Sequence, residues 1–129
     1  MQPMNLRAYL PFLVLPLLAA CAATRPTCRV AHDVFFVLED ASTENCAALV
    51  AACERLRVIP GVVRVTAGVR DQTQARDVNR QDFHVGLHVE FESAAAYDAY
   101  LPHPVHQELL DAFREGFQAV EVFDYLTGG

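Results

Sequence analysis

Apolar side chains first alternate strictly at RVAHDVFFVLED. Val30, His32, Val34, Phe36 and Leu38 fall on one face, and Ala31, Asp33, Phe35 and Val37 on the other, which predicts a strand over Val30–Leu38. The period then changes. Ser42 can cap a helix with Glu44 in its first turn, and Cys46, Leu49, Val50, Cys53 and Leu56 form an apolar stripe at helical spacing. Ile59-Pro60-Gly61 ends that helix, and GVVRVTAGV predicts a second strand over roughly Val62–Ala67. After the polar loop DQTQARDVNRQD, FHVGLHVEF alternates again: Phe83, Val85, Leu87, Val89 and Phe91 on one face, His84, Gly86, His88 and Glu90 on the other.

Ser93 caps a short helix over Ala94–Tyr100, which Pro102 and Pro104 interrupt. Pro104 can open a new helix with His103 at its cap, running to about Arg114 and stopping at Gly116. QAVEVFDY is the last strand. The order βαββαβ predicts an α+β domain of ferredoxin-like plan, with helices on one face of a four-stranded antiparallel sheet. Strands one, two and four carry apolar residues on both faces, so the second face needs cover. A second copy packed sheet to sheet, a homodimer, is the economical solution.

The start of the chain is of another kind. Arg7 precedes an apolar run from Ala8 to Ala20. As a helix it would cover only about 20 Å, short of the ~30 Å hydrocarbon core, and Pro11 and Pro16 weaken it further. It reads as a secretory signal. Leu18-Ala19-Ala20-Cys21 resembles the lipobox of bacterial lipoproteins, which implies cleavage before Cys21 and acylation there. The expected organisation is a signal peptide over 1–20, a lipidated Cys21 with a short tether over 21–28, and a domain over 29–127. Ala22 rather than Asp follows Cys21, which in enteric-type sorting implies the outer membrane of the bacterial envelope, periplasmic face.

Composition narrows the partners. All ten basic residues are arginine; without Arg7, nine stand against sixteen acidic residues. An acidic domain repels phosphate backbones and gains nothing from anionic lipids, so nucleic acid is not expected and membrane attachment must come from acyl chains. Export permits a disulfide. Cys46 and Cys53 lie about 10 Å apart along a helix, too far to bridge. A helix returning antiparallel to the first strand would bring Cys53 to Cys28, so the candidates are a Cys28–Cys53 pair or free thiols, buried as cysteines often are.

The chemistry concentrates at YLPHPVH, Tyr100–His106. His106, Leu109, Leu110 and Phe113 fall at i, i+3, i+4 and i+7, so His106 lies on the stripe that faces the sheet, with Tyr100 one short turn upstream and Tyr97 three residues before that. A neutral imidazole in a partly apolar pocket is a competent general base, and a phenol beside it can hydrogen-bond a developing enolate. His32 can add a third polar group. The same residues have a structural reading: His103 can cap a helix, and His106 and Tyr100 can bond backbone groups that the double proline break leaves open. No metal set is visible, since His84 and His88 lie about 13 Å apart along a strand.

His32 within VAHDVFFVL, the Ile59-Pro60-Gly61-Val62 turn, the strand ending VEFES, the YLPHPVH element and the closing Phe123-Asp124-Tyr125 together resemble the stress-responsive A/B barrel (Dabb) domains, over residues 30–126. The resemblance implies a ferredoxin-like domain that dimerises through its sheets into an α/β barrel. A plant polyketide cyclase branch of that family closes an aldol without a cofactor. The resemblance maps its catalytic Tyr and His onto Tyr100 and His106, and its first-strand pocket His onto His32. That cyclase has a pocket His on the third strand where this chain has Val85, with His84 one residue out of register. Two functions follow as expectations: an anchored dimer that holds a small apolar ligand (pocket residues His32, His103 and Tyr97) or serves in interaction, and a cofactor-free cyclase or lyase using His106 and Tyr100 on a poly-β-keto or similar carbonyl compound.

Overall fold

The computed structural model describes residues 28–128. The signal segment, Cys21 and nearly all of the tether lie outside the described residues. Seven main elements follow in order: β1 (Arg29–Leu38), α1 (Thr43–Glu54), β2 (Val62–Val69), β3 (Val85–Phe91), α2 (Ala94–Tyr100), α3 (Pro104–Phe113) and β4 (Phe117–Thr127). The strands form one antiparallel sheet in the order β2-β3-β1-β4. This is the ferredoxin-like arrangement the alternation predicts.

The helices lie on the sheet face that carries Val30, Val34, Phe36 and Leu38 of β1 and Val85, Leu87, Val89 and Phe91 of β3, all buried. From α1 and the turn after it come Cys46, Leu49, Cys53, Leu56 and Ile59. Each such fully buried aliphatic side chain contributes about 1.5–3 kcal/mol. Ser42 caps α1, its hydroxyl accepting the Asn45 N–H at 3.3 Å. The chain then reverses at Gly61, whose φ of 85° lies in the left-handed region; a Cβ built there would stand 2.5 Å from the Cβ of Ala96. Ile59-Pro60-Gly61 therefore does more than stop a helix, because its backbone bears directly on α2.

One of two open alternatives is realised, and one expectation is corrected. Cys28 and Cys53 are free thiols, Cys28 exposed and Cys53 buried in the core. The reason is helix placement: α1 packs chiefly over β2 and β3 rather than returning along β1. Phe83 does not share the face of Val85. His84 accepts the Leu38 N–H on its Nδ1 at 2.9 Å, and regular strand begins only at Val85. Phe83 accordingly meets Phe35 edge-on on the second face, ring centroids 4.9 Å apart, while His84 turns toward α1.

That second face is uncovered in the single chain. Phe35, Phe83 and Phe123 form an aromatic row across it, with Phe123 52% exposed and Tyr125 48%. Among the described residues no helix is long and apolar enough to cross a membrane.

Candidate active site

The proline break positions the chemistry. α2 ends at Tyr100, and Pro104 opens α3 with His103 as its cap, accepting the Val105 N–H on Nδ1 at 3.3 Å. In a continuous helix the Leu101 carbonyl would accept from residue 105. Here it is left open, and the Nδ1–H of His106 donates to it at 2.8 Å, joined by the Gln107 amide at 2.7 Å. A carbonyl can only accept, so Nδ1 carries the proton and the neutral ring's Nε2 is the free acceptor. Burial lowers the pKa of His106; the Leu101 bond opposes that and the nearby His32 adds to it. The ring is therefore neutral near neutral pH and holds its available lone pair on Nε2.

Tyr100 is 1% exposed, and its ring lies 4.4 Å from that of His106, centroid to centroid, at 34°. Burial, with Cys53 and Tyr97 nearby, raises its pKa well above the ordinary phenol value, and no hydrogen bond contributes. Its hydroxyl stays protonated and remains available as a donor. Burial likewise pushes the Cys53 thiol up to about 12, so that thiol is chemically quiet.

β1 supplies a third group. His32 lies directly across from Asp124 of β4, and its Nδ1–H donates to Asp124 Oδ1 at 2.6 Å. Tyr97 O–H, 3.2 Å from the same nitrogen, donates to Asp124 Oδ2 at 3.0 Å. Burial and the Asp124 bond push the Tyr97 hydroxyl up to about 12. Asp124 thus fixes both side chains, and it leaves His32 Nε2 as an acceptor, as Leu101 does for His106.

His32, Tyr97, Tyr100 and His106 line one cavity of about 390 Å³, between the sheet and α2–α3. Its remaining wall is mostly aliphatic, including Val34, Leu56 and Leu109. Val120 and Val122 of β4 also line it and are 42% and 48% exposed, so the cavity opens over β4. The structure therefore unites four sequence candidates. It does not bring in the fifth: His103 lies outside the lining because its ring is turned to cap α3. Asp124 was missed by sequence reasoning. Its signal was the closing Phe-Asp-Tyr, noted only as part of a pattern; the role needs the register of β4 on β1. Among the described residues no group of three or more potential metal ligands converges.

Fold and site together define a ferredoxin-like α+β domain with an imidazole and a buried phenol side by side in a mostly apolar cavity. A family model, the Stress responsive A/B Barrel Domain (Dabb), matches residues 30–127, and the chain belongs to that family. Among solved structures, a Dabb family protein from Mesorhizobium loti is 29% identical, with a TM-score of 0.62 over 80% of this chain and 100% of that one. Hydroxynitrile lyase from Passiflora edulis is 20% identical, with a TM-score of 0.67 over 80% and 95%. A protein of Thermobifida fusca, described as dimeric and ferredoxin-like, is 16% identical, with a TM-score of 0.64 over 78% and 92%. The last two share the fold alone. No curated protein matches the sequence.

Proposed function

We propose that the cavity is a cofactor-free acid–base site acting on a small, largely apolar carbonyl compound, by lyase or aldol-type cyclase chemistry. The observation that carries this reading is the shared cavity: a neutral imidazole with a free Nε2 and a protonated phenol line the same 390 Å³ space, ring against ring. That volume falls in the range of small-molecule sites. His106 Nε2 would take the proton from a carbon next to a carbonyl, or from the hydroxyl whose deprotonation starts a retro-addition, in which that oxygen becomes the carbonyl, the C–C bond breaks and the expelled carbanion takes the proton back from the imidazolium. Tyr100 would donate a hydrogen bond to the oxygen on which charge gathers. His32, held by Asp124, orients the substrate's polar end. The lyase described for the Passiflora fold neighbour agrees with this class by analogy of fold only.

The domain works as a homodimer joined through its second sheet face, the aromatic row of Phe35, Phe83 and Phe123 being its contact. The description of the Thermobifida neighbour as dimeric supports this. The protein is held at the bacterial envelope through acylated Cys21; the apolar run ending Leu18-Ala19-Ala20-Cys21 supports that placement.

The test is a panel of β-keto and cyanohydrin compounds followed by product analysis, with Tyr100→Phe and His106→Gln beside the natural protein. Turnover that both substitutions abolish is expected. Saturable binding without turnover would reduce the site to a ligand carrier, and the catalytic reading would be withdrawn.

A further inference from the structure

A second cleft, of about 250 Å³, shares no lining residue with the cavity above. It lies where the end of β2, the start of β3 and the first turn of α1 meet. The Arg70 N–H donates to the His84 carbonyl at 2.9 Å, which brings these two residues side by side, and both side chains line the cleft. His84 Nδ1 is an acceptor, since it takes the Leu38 N–H. In the neutral ring its Nε2 therefore carries the proton and is a fixed donor.

Of the eight arginines among the described residues, six, Arg29, Arg55, Arg57, Arg64, Arg80 and Arg114, pair with a carboxylate, and Arg70 and Arg76 do not. Arg70 pairs with none among the described residues: its Nη1 donates to the neutral Gln81 side chain at 2.7 Å, and its Nε is buried without a partner. A guanidinium is always charged, and buried donors are rarely left unfilled. The chain as a whole carries a net charge of −6, yet no acidic side chain lines this cleft. The rest of the wall combines the small apolar Ala41, Cys46, Ala47 and Val69 with the polar Thr43 and Gln72.

From these groups we infer that the cleft binds a small aliphatic carboxylate. Its oxygens accept from the Arg70 guanidinium and His84 Nε2–H, and its short hydrocarbon tail lies on Ala41, Ala47 and Val69. The planar guanidinium suits a carboxylate's two oxygens, and the apolar wall suits a tail that inorganic anions lack.

The test is calorimetric titration of the full chain, purified in detergent, with butyrate, butyramide and inorganic phosphate. Saturable binding of butyrate is expected, at least about tenfold tighter than butyramide or phosphate, one charge-assisted pair being worth that much. Arg70→Gln should weaken butyrate binding at least about tenfold. Ala47→Leu, on an exposed helical position, should block the cleft without disturbing the fold, and it decides the matter if Arg70→Gln does not fold. Tyr100→Phe, in the other cavity, should leave butyrate binding unchanged. No butyrate binding, or equal binding by the natural chain and Ala47→Leu, overturns the proposal. Equal affinity for phosphate and butyrate overturns the assignment to a carboxylate.

Discussion

Consecutive residues of β1 build nearly the same grouping on opposite faces of the sheet. On the helix face His32 donates to Asp124 across β4, with Tyr97 on the carboxylate. On the open face His88 donates to Asp33 across β3, also at 2.6 Å, and the Asp33 carboxylate pushes up the Tyr125 hydroxyl. The parts match; the surroundings do not. The first group borders a large cavity holding a second imidazole and a buried phenol, and the His32 side chain is only 9% exposed. The second sits beside a row of phenylalanines, and the His88 side chain is 34% exposed. A His–Asp pair is thus a way for two opposed strands to satisfy polar side chains. Space, and a second group whose proton is uncommitted, turn one of them into a candidate for chemistry.

Substitutions should separate the two faces. The largest effect is expected on turnover of a carbonyl substrate found in the panel above: Tyr100→Phe and His106→Gln should each lower kcat/KM at least about a hundredfold, the weight of a positioned acid or base. His88→Gln should change it less than about threefold. Equal losses from His88 and His106 would erase the distinction. On the open face, Phe123→Asp should convert the dimer to monomer in sedimentation velocity at micromolar concentration, because an isolated charge would have to be desolvated in the interface; an unchanged dimer would place the contact elsewhere.

The carboxylates should differ more subtly. Asp124→Ala should cost about 1–3 kcal/mol in urea unfolding, since it leaves buried His32 without its acceptor. That cost should be independent of protein concentration. The cost of Asp33→Ala should grow with protein concentration, because its partner side chain becomes buried only when a second copy covers it. The smallest effect concerns pH. In the unfolded chain the His106 ring takes a proton near the ordinary 6.5, whereas in the folded chain it does so only at lower pH. Between those values the unfolded state binds more protons, so the contribution of His106 is complete above about 6.5 and is lost as pH falls below it. His106→Gln should flatten that part of the stability–pH curve.

The elements were legible wherever a single period governs several residues. β1, the stripe of α1 and the break between α2 and α3 follow from alternation, helical spacing and two prolines. Those signals also point to Tyr100 and His106 as neighbours at the break, because both depend on a local interruption. Reading failed where a side chain answered to a distant strand. The alternation of FHVGLHVEF runs on through Phe83, but His84 bonds to the backbone of β1 and the face reverses there. The Cys28–Cys53 expectation assumed a helix returning along its own strand, and α1 instead crosses to β2 and β3. Asp124 could not be singled out without knowing that residue 124 stands opposite residue 32. The structural and chemical readings of His106 proved compatible: one nitrogen satisfies the stranded carbonyl and the other is left free.

The three described thiols give the fold a clock. Cys28 is exposed, Cys46 is buried under the start of α1, and Cys53 is buried behind Tyr100 with its thiolate strongly disfavoured. A thiol reagent reacts only with what thermal opening uncovers. Cys28 should therefore be modified at once, while the lag before Cys53 measures how often α1 lifts from the sheet. A ligand wedged between the sheet and α2–α3 would lengthen that lag, so the rate of alkylation at Cys53 can report cavity occupancy before any substrate has been identified.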